Sequence, residues 1–132
     1  MSEQIIYIDR SEIREGKLEE VRAAIHGLVE FVETQEPQLI GYALYFNEEA
    51  TGITVVAIHP DSASLQFHLE IGGPVFRKFI GFIKLQTIEV YGRPSEKVLE
   101  QLQQKAAMLG EAASVVVHEQ HAGFMRLASA IT

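Results

Sequence analysis

The chain has no cysteine and no tryptophan. Without a thiol there is no disulfide, no thiolate nucleophile and no zinc–thiolate site. Its 11 basic residues face 18 acidic ones and group no more closely than Arg77-Lys78. A formal charge of −7 with scattered cations argues against a nucleic-acid surface, because phosphate binding draws its free energy from clustered Lys and Arg. No apolar run approaches the roughly 20 residues that a helix needs to span a bilayer, so no membrane association is expected. The opening "MSEQIIYIDR" has neither the basic region nor the long apolar region of a signal peptide, and a cytoplasmic location is the expectation.

What is present is an ordinary globular balance, 132 residues with 47% hydrophobic and 22% charged, enough for one domain with a real core. "QIIYID" (4–9) reads as a strand, followed by a polar turn from Ser11-Glu12. In 17–36, Leu18, Val21, Ile25, Leu28 and Val32 recur at steps of three and four, which predicts a helix ending before Pro37. The runs 38–47 and 51–59 form a hairpin around "EEA". A second helix starts at Pro60-Asp61-Ser62, with Asp61 or Ser62 as cap, and Gly72-Gly73-Pro74 is expected to interrupt it. A strand over 84–92 follows. The order β-α-β-β-α-β predicts a ferredoxin-like α+β fold, four antiparallel strands with both helices on one face. Residues 94–132 read as an extension: a helix from Pro94-Ser95 to Gly110, then one or two short strands in 114–118 and 121–127.

Both faces of the hairpin are apolar. Ile40, Tyr42, Leu44 and Phe46 alternate with Leu39, Gly41, Ala43 and Tyr45, and Ile53, Val55, Ala57 and His59 with Thr54, Val56 and Ile58. Helices cover one face only. The other predicts a homodimer packed sheet to sheet, or else a C-terminal segment folded beneath it.

The stretch "AIHPDSASLQFHLEIGGPVFRKF" (57–79) carries the chemical candidates. His68 shares a helical face with Asp61, Ser64, Leu65 and Gly72. An imidazole at the mouth of an apolar pocket can take a proton from a phenol or hydroquinone, leaving an electron-rich anion that reacts with dioxygen. The plainer alternative is a core histidine bonded to a backbone carbonyl. His59 either lines the same pocket or bonds to a helix terminus. Thr87, Glu89 and Tyr91 share one strand face; looking into a pocket, Glu89 would be a base of raised pKa, and elsewhere it would pair with Lys or Arg across the strands. His118 and His121 in "HEQH" lack the spacing that aligns two imidazoles on a helix, so no metal is assigned.

The β-α-β-β-α-β order, Asp61-Ser62 leading into His68-Leu69, the element Pro74-Val75-Phe76-Arg77-Lys78-Phe79, and "IEVYGRPS" closing the fourth strand resemble the antibiotic-biosynthesis monooxygenase-like family over residues 4–93. The resemblance implies a dimeric α+β barrel and cofactor-independent oxygenation of an aromatic or quinol-like compound, with no cofactor. His68 would be catalytic, with His59, Tyr45, Tyr91, Glu89 and Phe67 against the substrate. Val75 stands where the family often has a second histidine. The haem-degrading branch resembles an Asn–Trp–His set, and the absence of tryptophan argues against haem. The alternative is a dimer of the same fold that holds an apolar or aromatic small molecule, or merely closes its interface, without chemistry.

Overall fold

The computed structural model describes residues 4–126. Strand β1 (Ile5–Ile13) alternates strictly, with Ile5, Tyr7, Asp9, Ser11 and Ile13 buried and the residues between them turned outward. It runs past the turn expected at Ser11. Neighbours on both sides hold it there, since Ser11 pairs with Ile53 on one side and Leu85 on the other.

Helix α1 (Leu18–Gln35) buries Val21, Leu28 and Val32 and stops short of Pro37. Strands β2 (Gly41–Phe46) and β3 (Gly52–His59) form the expected hairpin. The Asn47 side chain closes its connection by accepting from the Thr51 and Gly52 N–H groups at 2.8 and 2.9 Å.

Helix α2 (Ser62–Phe76) is capped by Asp61, whose carboxylate accepts from the Ser64 N–H at 2.9 Å. It continues unbroken through Gly72-Gly73-Pro74, against the expected interruption. Phe76 supplies a reason. A Cβ at position 72 would stand 2.4 Å from the Phe76 ring, so glycine lets that ring fold back along its own helix. Pro74 removes one backbone donor, and the surrounding packing tolerates the loss. A 3-10 turn (Arg77–Phe79) leads to β4 (Ile83–Tyr91). Helix α3 (Glu96–Leu109) begins at Ser95, whose hydroxyl accepts from the Val98 N–H, and ends at Gly110.

Strand β5 (Ser114–His118) lies parallel to β4, giving the order β2-β3-β1-β4-β5. The first four strands are the expected antiparallel ferredoxin-like sheet, and the fifth makes the sheet mixed. The extension adds one strand. Residues 121–126 form none, and residue 127 lies outside the described part.

The core sits between the helices and one sheet face, where Tyr7, Leu65, Leu85, Ile88, Val98 and Leu102 are fully buried. Each such side chain stabilises the fold by about 1.5–3 kcal/mol. On the opposite face the register aligns Ile6 with Ile58, Ile8 with Val56, and Val56 with Ala43. The hairpin is two-faced, as its alternation predicts. Gln120, Gly123, Phe124 and Met125 border a groove with Ile6 and Tyr91 at one end of that face, and Tyr45 at the other strand edge is 57% exposed. Among the described residues no helix is long and apolar enough to cross a membrane.

Candidate active site

The apolar stripe of α1 steps from Leu28 to Val32 and then to Glu36, which carries a carboxylate into the interior just past the helix end. Glu36 is 2% exposed and faces the negative end of the α1 dipole, an unfavourable place for an acid. Its partner is His68 on α2, with Nδ1 2.7 Å from Glu36 Oε2. Donation from Nδ1–H to the carboxylate leaves the lone pair on Nε2. Glu36 Oε1 has no partner among the described residues. The His68 ring is ringed in turn by Phe76, His59 and Tyr42, at centroid distances of 5.2, 5.5 and 5.6 Å.

His59, at the end of β3, bonds through Nδ1 to the Ser64 hydroxyl at 2.8 Å, while its Nε2 has no partner among the described residues. Burial, and then electrostatic repulsion from its neighbours His68 and Lys105, lowers its pKa from 6.5 to about 3. The unfolded chain therefore takes up this proton before the folded one does. Stability should fall as pH drops from about 6.5 towards about 3, by up to about 1.4 kcal/mol per pH unit. Urea titrations across that window should show a shallower slope in His59→Asn; an unchanged slope would assign the acid sensitivity elsewhere.

Between sheet and helices lies a cavity bordered by Asp9, Ser11, Tyr42, Leu44, Phe76 and Lys105. Its volume open to water centres is about 40 Å³, room for a few waters at about 10–15 Å³ each. Lys105 reaches it from α3 and is 8% exposed. Its Nζ donates to Tyr7 Oη at 2.8 Å, stands 3.5 Å from Asp9 Oδ2, and sits 4.1 Å from the Phe76 ring centre. Tyr7 Oη donates to the same Asp9 oxygen at 2.5 Å. Burial lowers the Lys105 pKa, against the pull of Asp9. Burial, then the Asp9 and Glu36 carboxylates, raises that of Tyr42, which therefore keeps its proton as a hydrogen-bond donor. Phe76 and Lys105 also form one wall of an outer groove between α2 and α3, beside Gly73, Arg77 and Gln101.

Of the six residues singled out in the sequence, only His59 and His68 meet here. Tyr45, Glu89 and Tyr91 lie on the opposite sheet face, and Phe67 points outward from α2, 40% exposed. Glu89 is held by Arg10 from β1, by Tyr91 Oη at 3.0 Å and by His118 Nε2 at 3.1 Å. These bonds, that of Arg10 first, lower its pKa, the reverse of what a desolvated pocket base would show. His118 stacks on Tyr91 with centroids 4.4 Å apart. Among the described residues no three His, Cys, Asp or Glu side chains converge as a metal site. Glu36, Asp9, Tyr42 and Lys105 escaped the sequence reading as site residues. Two of them left a trace, as charges set on apolar helical stripes: Glu36 after Leu28 and Val32, and Lys105 beside Leu102, Ala106 and Leu109.

No family model and no curated protein sequence matches the chain. Solved structures do. MupZ from Pseudomonas fluorescens superposes with a TM-score of 0.72 at 21% identity, covering 94% of this chain and 95% of that one. SnoaB from Streptomyces nogalater, a cofactor-independent oxygenase, gives a TM-score of 0.60 at 11% identity, over 71% of this chain and 96% of SnoaB. A provisionally named antibiotic biosynthesis monooxygenase from Bacteroides thetaiotaomicron gives 0.54 at 22% identity, over 67% and 85%. Identities this low speak to architecture alone: the chain has the ferredoxin-like α+β fold of the antibiotic-biosynthesis monooxygenase-like proteins.

Proposed function

We propose that this chain is a cytoplasmic, homodimeric, cofactor-independent monooxygenase of a phenolic or quinol-like aromatic compound. The observation that carries the reading is the buried Glu36–His68 pair, which packs against Tyr42 and Phe76, two of the rings that border a largely apolar cavity. His68 Nε2 takes the proton of a substrate hydroxyl, and Glu36 balances the imidazolium that forms. The resulting anion passes electrons to dioxygen. At an activated ring CH2, one oxygen atom becomes the new C=O and the other leaves as water with the two displaced hydrogens. Phe76 borders both the cavity and the outer groove, so the ring would be admitted beside it. The oxygenase among the fold neighbours supports this by analogy of fold. An oxygen electrode with a panel of hydroquinones and anthrone-type phenols tests it, and uptake no faster than buffer across the panel would remove it.

His68 is not among the residues that border the cavity, which favours a second reading, a dimer that binds such compounds without turning them over. Tight anaerobic binding with no oxygen consumption would select it.

The dimer itself rests on the open face around Ile8, Val56 and Ala43. A second copy packed there removes that apolar surface from water. Light scattering of dilute protein should return the mass of two chains, and Val56→Glu that of one. A wild-type chain that scatters as a single copy would refute the pairing.

A further inference from the structure

We infer that Lys105 selects the ligand of this cavity, and that the ligand carries an anionic oxygen on an apolar body. The inference rests on the cavity being the binding site, as proposed above, but not on the oxygen chemistry.

A lysine is almost never fully buried unless it is paired, and the pairing here is incomplete. Its one short bond, at 2.8 Å, goes to a neutral phenol oxygen. Its carboxylate neighbour stands at 3.5 Å, past the roughly 2.7–2.9 Å of a charge-assisted bond. Tyr7 is the reason, since it already donates to the same Asp9 oxygen. An ammonium has three N–H groups. Those towards Tyr7 and Asp9 leave one without an acceptor among the described residues, and the Phe76 and Tyr7 rings compensate the charge only through their π faces.

A second group points the same way. Ser11, 3% exposed, lies on the inward face of β1 two residues beyond Asp9 and lines the same cavity, and its hydroxyl has no partner among the described residues. A spare ammonium proton and an unused hydroxyl on one largely apolar cavity suit an oxygen that carries negative charge. Phe76 touches both Lys105 and His68, so a flat ring taking its place would meet the ammonium at one end and the imidazole at the other.

The test is anaerobic calorimetry with two probes that differ by one oxygen: 1,4-naphthoquinone and 2-hydroxy-1,4-naphthoquinone, the latter an anion at neutral pH. The wild-type protein should bind the anion about 10- to 100-fold more tightly, the range that a hydrogen bond to a charged group spans. Lys105→Met, an apolar replacement of the kind that buried ions often tolerate, should erase the preference, and so should Lys105→Gln. Should both lose native circular dichroism, Ser11→Ala keeps the charge in place and should weaken binding of the anion several-fold while sparing the parent compound. Equal affinities in wild type, no binding of either probe, or a preference that survives these substitutions would overturn the inference. Since no oxygen is present, a Lys105-dependent preference stands even if oxygen uptake is never found, and that failure would sink only the monooxygenase reading.

Discussion

His68→Ala should lower oxygen consumption on a turned-over phenol with an activated ring CH2 by about 10²- to 10⁴-fold, the usual contribution of a positioned acid–base group. The loss should fall on kcat, because the imidazole acts as the proton leaves and contributes little to holding the ring. The substitution also strands Glu36, a buried carboxylate whose other oxygen already lacks a partner. The variant will therefore be less stable, and activity must be read at a temperature where its circular dichroism is native. Glu36→Gln separates the two effects. Its amide oxygen still accepts from His68 Nδ1–H and keeps the ring oriented, yet it no longer balances an imidazolium. Its kcat should drop with folding largely intact. Wild-type turnover in both variants would exclude the pair from the chemistry.

Asp9→Ala should destabilise the fold by about 3–5 kcal/mol, because it leaves the Lys105 ammonium buried without a carboxylate. In thermal unfolding this is a fall in Tm on the order of 10–20 °C for a domain of this size. The sign of the pH dependence is fixed by the direction of the Lys105 shift. Its folded pKa lies below 10.5, chiefly through burial, and removing Asp9 takes away a group that raises it. The unfolded chain then holds the proton more firmly than the folded one, so stability climbs as pH rises from the folded pKa towards 10.5. The deficit of Asp9→Ala should accordingly shrink in alkaline buffer. Adding Lys105→Met should restore most of it at neutral pH. A double variant no more stable than Asp9→Ala alone would show that the two groups are not energetically coupled.

The architecture was legible because it is written in local pattern. The α1 stripe, the short connection between two β-branched runs and the Asp61 and Ser95 caps each specify their element within a few residues. Two local signals misled. Ser11-Glu12 reads as a turn, but a strand flanked on both sides can carry a serine on its inner face. Gly72-Gly73-Pro74 reads as a break, but the space left by the missing Cβ is filled by Phe76.

The site was harder to read because it depends on which sheet face the helices cover. Both faces of the hairpin are apolar, so nothing local assigns Tyr42 inward and Tyr45 outward. Once the register is known, Glu89 and Tyr91 fall on the open face and Asp9 and Tyr7 on the covered one. The Glu36–His68 and Lys105–Tyr7 contacts span 32 and 98 residues of chain, and local periodicity does not reach that far.

Gly72 has a consequence of its own. The hollow left by its missing methyl is the seat of the Phe76 ring, and that ring borders both the inner cavity and the groove outside. One added carbon at this position would push the ring from that seat and reshape both spaces. The shape of both is thus set by an atom that is not there, on a residue with no side chain of its own.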